Sequence, residues 1–462
     1  MTGATAKTLH VSGKIAPDQT QSHIEHPFDV PVGTTRIEID FEYAPVDLGE
    51  DRLPNQISLS LYDPKKGRGA RHNNADQRIV LREDYASKGY IPRPLYSGSW
   101  VVSIDIHRIT PPDEVRYELS IELDSAPQPP PPPPHQPSSC APRGPGWYRG
   151  DLHGHTLHSD AVWEVPEFVE YARAIGLDFV TLTDHNTTSG ITECLSLADN
   201  NLLVMGGMEL TTFRGHCLAL GTHDWVEWRT LAERSMSAIA TDILNNGALF
   251  VIAHPAHVGN PWCTGCDWKY ADMMPGVAKV VEVWNSDWSG PSRNEQALAL
   301  YYSWLNQGHH LVATAGSDVH GPFGVNQRPG YNVVYADALR ADKILDAVSK
   351  GRLYLSSGPE LIVTCAGRPE VTAIGAAFPT GNVSLLVTWD KCPADASIRL
   401  VRRSFRDDSP CETMLAGQGT KGSLEVRFEP RGDFDWATIE VRDSAGALHA
   451  VTNPTFFRGS SR

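Results

Sequence analysis

No run of about eighteen apolar residues occurs in this 462-residue sequence, which excludes a conventional membrane-spanning helix. The N-terminus, MTGATAKTLHVSGKIAPDQ, lacks both an apolar h-region and a small-residue cleavage site, so a cytoplasmic protein with no membrane partner is expected. The eight cysteines are scattered without framework spacing, which argues against a disulfide-stapled scaffold and for reduced thiols. Basic residues are scarce: 40 Lys and Arg face 55 Asp and Glu, a formal net charge of −15. That balance repels a nucleic-acid backbone and excludes genomic nucleic acid as the expected partner. Small anionic substrates stay open, because a bound metal ion reverses the local field whatever the global charge. Oligomeric state is not legible.

The composition present, 41% hydrophobic and 21% charged, is that of a globular protein, and the length calls for roughly two or three domains. TTRIEIDFEY (34–43) alternates Ile37, Ile39, Phe41 and Tyr43 with Glu38, Asp40 and Glu42, the period of a strand with one buried face. ISLSLY, WVVSIDI and YELSIEL repeat it, so residues 1–125 read as an N-terminal β-sandwich. SAPQPPPPPPHQPSSCAPRGPG follows, and residues 126–146 read as a stiff polyproline linker, with an SH3 or WW ligand as the alternative.

After Trp147 strands alternate with helices. Phe168, Ala172 and Ile175 fall at helical spacing behind Pro166, Gly176 supplies a stop, and DFVTLTD reads as a buried strand. LFVIAHP, VAKVVEVWN and HLVATAGSD share one feature, an apolar run that in two of them ends in His or Asp. Residues 147–357 are therefore an α/β unit with functional groups at strand ends. From Gly358, VSLLVTW, SIRLVRR, LEVRFEP and WATIEVR restore the alternation, and residues 358–462 read as a C-terminal β-sandwich. Both sandwiches are read as packing or positioning modules, with carbohydrate or polymer binding as the alternative.

The middle unit collects metal-competent side chains in order. His153 and His155 flank one glycine, and residues two apart on an extended segment point the same way, so both imidazoles reach one ion. Asp160 follows, then Asp184 and His185 in TDH, Glu209 in GMEL, His216 in RGHC, His254 in AHP, and Asp318 and His320 in GSDVH. A single histidine at a strand end is usually structural. This succession, each member set behind an apolar strand, is that of a metal cluster.

DLHGHTLHSD, TLTDHN, GMELTTFRGHCLALG, AHP and GSDVHG resemble, in order, the motifs of the PHP (polymerase and histidinol phosphatase) metallohydrolases over roughly residues 147–357. GRLYLSSGP (351–359) and VTNPTFF (451–457) resemble the carbaryl-hydrolase-type branch of that family. The resemblance implies a distorted (β/α)7 barrel flanked by the two sandwiches, with a trinuclear site at its mouth. It places His153, His155, Glu209 and Asp318 on a first metal, has Glu209 bridge to a second held by His216 and His254, and puts Asp160, His185 and His320 on a third. Some members carry a histidine where this chain has Asp160, so the third subsite is richer in hard oxygen and the expected metals are Mn, Fe or Zn.

Such a cluster activates a bridging hydroxide for attack on an ester, and no other cofactor is required. The expected activity is phosphomonoester or phosphodiester hydrolysis of a small-molecule substrate. The alternatives are a carboxylic-ester or carbamate hydrolase, and a binding protein with a vestigial metal site. His158 and His257 are candidates for protonating the leaving group, Asp184 for orienting a ligand histidine, and Arg214 and Arg328 for clamping an anion, with structural or solvated roles as the alternatives. Cys263 and Cys266 in PWCTGCDW lack the second pair of a zinc site, and are read as incidental thiols in a lid whose neighbours include Trp262, Trp268, Trp284 and Trp288.

Overall fold

The computed structural model describes residues 7–458 except 73–75, 132, 142, 230–234, 325–326, 367, 380–382, 405–410 and 432–433. Residues 1–6, part of the stretch read for a leader, and residue 132 in the proline tract lie outside the described set.

Alternation governs the N-terminal strands. Val115–Asp124 buries every other residue, and its Leu119 and Ile121 meet Ile37, Ile39, Leu59, Leu61, Trp100 and Ile104 in one core. Each fully buried aliphatic side chain of this kind contributes about 1.5–3 kcal/mol. Two four-stranded sheets enclose it. One runs Lys7–Ile15, Val115–Asp124, Arg36–Ala44, Ile79–Leu81; the other runs Ser22–Val30, Gly98–Arg108, Gln56–Tyr62, Gly67–Ala70. The proline tract then forms no helix or strand among its described residues. It is held to the next unit by Ser138 N–H donating to Leu195 O and Leu339 N–H to Arg143 O.

In the middle unit the helix expected behind Pro166 spans Val165–Ala174. Glu167 accepts from the Glu164 N–H at its start (2.8 Å), Val165, Phe168, Val169 and Ala172 form the buried face, and Gly176 takes a left-handed backbone at its end. The sheet beside it is ordered Val312–Gly316, Val280–Asn285, Leu249–Ile252, Gly215–Leu220, Leu203–Thr212, Phe179–Leu182, Gly146–Asp151, Tyr331–Ala336, Leu353–Ser356.

The architecture is mixed α/β, and the expected (β/α)7 barrel is not seen. Phe213 and Arg214 turn the chain tightly between Leu203–Thr212 and Gly215–Leu220, which makes that pair antiparallel where a barrel needs a helical crossover. Gly215–Leu220 with Leu249–Ile252, and Gly146–Asp151 with Tyr331–Ala336, are antiparallel as well. The path also runs on into C-terminal strands, because Leu353–Ser356 pairs with Leu448–Thr452. A local contact still brings the first and last ligand segments together. Gly154 and Val319 form a parallel bridge, Asp318 N–H donates to His153 O, and His155 N–H donates to Val319 O.

Beyond Leu448–Thr452 the sheet continues through Phe434–Arg442, Ser397–Arg403 and Cys411–Gln418. A second sheet, Arg368–Thr372, Glu360–Cys365, Val383–Asp390, Gly422–Phe428, packs on it around Leu385, Val387, Ile398, Phe428 and Phe457. Among the described residues no helix is long and apolar enough to cross a membrane.

Candidate metal centre

Strand geometry explains how the donors meet. Glu209 and Thr211 share a face by the period of two, and His216 sits opposite Thr211 in the antiparallel register, so Glu209 and His216 project to the same side. Their side chains are 3.1 Å apart, His216 Nδ1 to Glu209 Oε1. His254 reaches the same carboxylate oxygen through Nε2, also at 3.1 Å. His153 and His155 lie just past Gly146–Asp151, His185 past Phe179–Leu182, and Asp318 and His320 past Val312–Gly316. His254 (φ 28°), Asp318 (φ 51°) and Asn186 (φ 54°), which follows His185, adopt left-handed backbone. Non-glycine residues seldom do so, and such strain gathers where side-chain direction matters more than backbone ease.

Three overlapping donor groups result, each with ligand atoms within 4.8 Å of one another: His153, His155, Glu209 and Asp318; His155, Asp160, His185 and His320; and His185, Glu209 and His216. All nine expected ligands are therefore brought together, with His254 attached through Glu209. Four atoms test whether a cation fits. His153 Nε2, His155 Nδ1, Asp160 Oδ1 and Glu209 Oε2 are buried without a well-directed hydrogen bond, although imidazole nitrogens crowd both carboxylate oxygens: His185 Nδ1 and His153 Nε2 lie 2.8 and 3.2 Å from Glu209 Oε2, and His320 Nε2 lies 3.1 Å from Asp160 Oδ1. A buried polar atom left unsatisfied costs about 1–3 kcal/mol. Divalent ions satisfy such atoms, and imidazole with carboxylate is a donor set for Mn, Fe or Zn.

The field inside the cluster favours positive charge. Burial pushes the His153 imidazole down, but Asp318, Glu282 and Glu209 outweigh it and hold it well above the ordinary histidine value. Burial likewise opposes ionisation of Glu209, and His185, His153 and His216 overcome it, keeping the carboxyl well below its usual range. Asp318 is held down in the same way by His153 and His155. His155, crowded by burial and by His185 and His320, is pushed down to about 3 and stays neutral, as a metal ligand must.

Several supporting groups escaped the sequence reading. Glu282 Oε2 accepts from His153 Nδ1 (2.9 Å), and Asn285 donates to both Glu282 Oε1 (2.7 Å) and Asp318 Oδ2 (3.2 Å). The ring of His153 is thereby fixed from behind. A glutamate inside the apolar run VVEVW was the available signal, since a charge at a buried strand position demands a partner. His72 and His107 of the N-terminal sandwich were also missed.

Other candidates fall elsewhere. Asp184 orients no ligand histidine: its carboxylate accepts from the Thr156 and Ser159 hydroxyls and the Thr156 N–H. His158 bonds Ser189 Oγ (2.7 Å) and does not line the cavity. Arg214 and Arg328 are exposed and do not line it either; Arg328 N–H donates to Asp287. His257 does line the cavity, a space of about 250 Å³ bordered also by Asp160, His185, His254, Asp318 and His320. Cys263 and Cys266 form a disulfide, against the expectation of reduced thiols throughout. Of the four tryptophans only Trp262 borders the cavity; Trp268 and Trp284 are core residues, and Trp288 stacks edge-on against Trp284.

No family model and no curated protein matches the chain. Among solved structures it is similar to a two-domain protein from Bacteroides vulgatus containing a predicted PHP-like metal-dependent phosphoesterase, with 16% identity, 69% of this chain and 99% of that one covered, and a TM-score of 0.38. It is also similar to an amidohydrolase from Chromobacterium violaceum, with 19% identity, 37% and 88% covered, and a TM-score of 0.28. A third is a protein from Bifidobacterium adolescentis named for metal-dependent phosphoesterase activity, with 19% identity, 41% and 92% covered, and a TM-score of 0.29. At these TM-scores no assignment follows from the likeness, and function rests on the site.

Proposed function

We propose that this chain is a metal-dependent phosphoesterase of the PHP type, acting on a small-molecule substrate at a trinuclear site. The observation that carries the reading is the convergence of buried His153, His155, Asp160 and Glu209 atoms, none with a well-directed hydrogen bond, within three overlapping donor groups. His153, His155, Glu209 and Asp318 would hold one ion, Glu209, His216 and His254 a second, and Asp160, His185 and His320 a third. When bound, such ions supply an acidified water and neutralise charge developing on the reacting centre.

The protein's own contribution is orientation and proton placement. Glu282 and Asn285 fix His153 and Asp318. His257 Nδ1–H donates to Val258 O (2.9 Å), so its Nε2 carries the lone pair. Burial and the neighbouring His254 push this imidazole down to about 4. Neutral His257 would accept a hydrogen bond at neutral pH, which supports its structural alternative over the proton-donor candidacy.

One observation favours the second reading, a carboxylic-ester or carbamate hydrolase: no Arg or Lys borders the cavity among the described residues. A matched chromogenic panel separates the two. Phosphomonoester, phosphodiester and carboxylic ester sharing one leaving group are assayed with Mn-reconstituted protein. Phosphoester turnover is expected; turnover of the carboxylic ester alone would overturn the first reading in favour of the second.

A further inference from the structure

The N-terminal sandwich reaches the metal centre at three points. Thr187 and Ser189, just past the ligand His185, are tied to Gly89 by Thr187 Oγ1–H to Gly89 O (2.7 Å) and Gly89 N–H to Ser189 Oγ (3.0 Å). The approach is close enough that a Cβ on Gly69 of the sandwich would lie 3.3 Å from Thr187 Oγ1. At the cavity wall, Thr264 Oγ1 donates to His107 O (3.1 Å), and nearby Arg108 donates to Pro261 O (2.8 Å). The sandwich also presents Gln56 and His72 to the cavity itself.

The surroundings of His72 distinguish it from a packed core histidine. Its ring lies 4.9 Å from that of His185 and 4.5 Å from that of His107, which meets it edge-on. The Nδ1 of His72 and the Nε2 of His107 are both buried without a hydrogen-bond partner. His72 borders the cavity, and an imidazole there with a nitrogen that no protein group pairs is open to a ligand atom. Among the described residues no Arg or Lys borders the cavity, Arg214 and Arg328 included.

We infer that the cavity is completed by the N-terminal sandwich and that His72 is a substrate-binding residue. It donates a hydrogen bond to a substrate oxygen beside the Asp160, His185 and His320 subsite, in place of an arginine clamp. His107 backs it and fixes its ring. This rests on the hydrolase reading above. The ligand class is a compact oxyanion or ester group, in keeping with a space of about 250 Å³.

The test uses the full chain reconstituted with Mn, as wild type, His72→Ala and His72→Gln. Binding of inorganic phosphate is followed by calorimetry, metal content by elemental analysis, and steady-state kinetics on the ester panel. His72→Ala is expected to weaken phosphate and raise KM about tenfold or more, the scale of a hydrogen bond to a charged group. kcat should stay within about threefold, with metal content unchanged, and His72→Gln should recover part of the loss. Phosphate affinity equal to wild type overturns the inference, as does loss of metal in both variants, which would make His72 a ligand. If the wild type ignores phosphate and hydrolyses only the carboxylic ester, the phosphoesterase reading fails separately. His72 is then judged by KM for that ester, a rise supporting its role and no change overturning it. A wild type that binds and hydrolyses nothing overturns both.

Discussion

The two sandwiches engage the central sheet in opposite ways. The N-terminal one keeps its own pair of sheets and meets its neighbour through loops and side chains at the cavity, by way of Gly89, His107 and Arg108. The C-terminal one lends its strands: Leu448–Thr452 pairs with Leu353–Ser356, so one of its sheets is the continuation of the central sheet. Asn453 then braces the foot of Val312–Gly316, accepting from Ala313 N–H (2.7 Å) and donating to Ala313 O (2.9 Å) and Leu353 O (3.1 Å). A module joined by loops is free to alter what binds without disturbing the sheet. A module joined by backbone pairing belongs to the fold, and its residues should register as stability.

Variants sharpen or break that contrast. The largest effect belongs to the cluster between the two modules: Asp318→Ala should lower hydrolysis about a thousandfold, with metal lost on elemental analysis. Glu282→Gln should weaken metal affinity about 10- to 100-fold in a chelator competition, because His153 Nδ1 loses its charged partner. Asn453→Ala strands the buried Ala313 N–H and O, while Leu353 O keeps the residue-453 N–H, and should cost about 2–4 kcal/mol in urea unfolding while leaving KM unchanged. A raised KM with undiminished stability would break the contrast. On the N-terminal side, Arg108→Ala should speed limited proteolysis near residues 261–264 with little change in the unfolding midpoint. Arg214→Ala and Arg328→Ala should change KM by no more than about twofold, since both residues are exposed and neither borders the cavity.

The converging donors were legible because His, Asp and Glu recur in or just past buried strands, where polarity is costly unless used. Glu282 was not noticed because its flanking valines dominate the run. His72 and His107 carry no local signal at all: only the docking of a separate sandwich gives them a role. The barrel failed for a related reason. Whether TTFRGH ends in a two-residue hairpin or a crossover is decided by pairing partners far along the chain. The two C-terminal signatures acquire a physical meaning. Ser356 Oγ–H donates to Pro359 O and accepts from Gly358 N–H, and Asn453 braces Ala313, so both stretches secure the junction of sheet and sandwich.

The bridge between Gly154 and Val319 has a consequence for biosynthesis. His155 and Asp318, which contact each other at 2.9 Å, are separated by 163 residues. A nascent chain therefore exposes the first half of its donor set long before the second half leaves the ribosome. Closing so long a loop is slow, and an ion captured early would find only a partial set of donors. On the proposed reading, full coordination would be a late event, and tight metal retention would report that the whole α/β unit has been made and has folded.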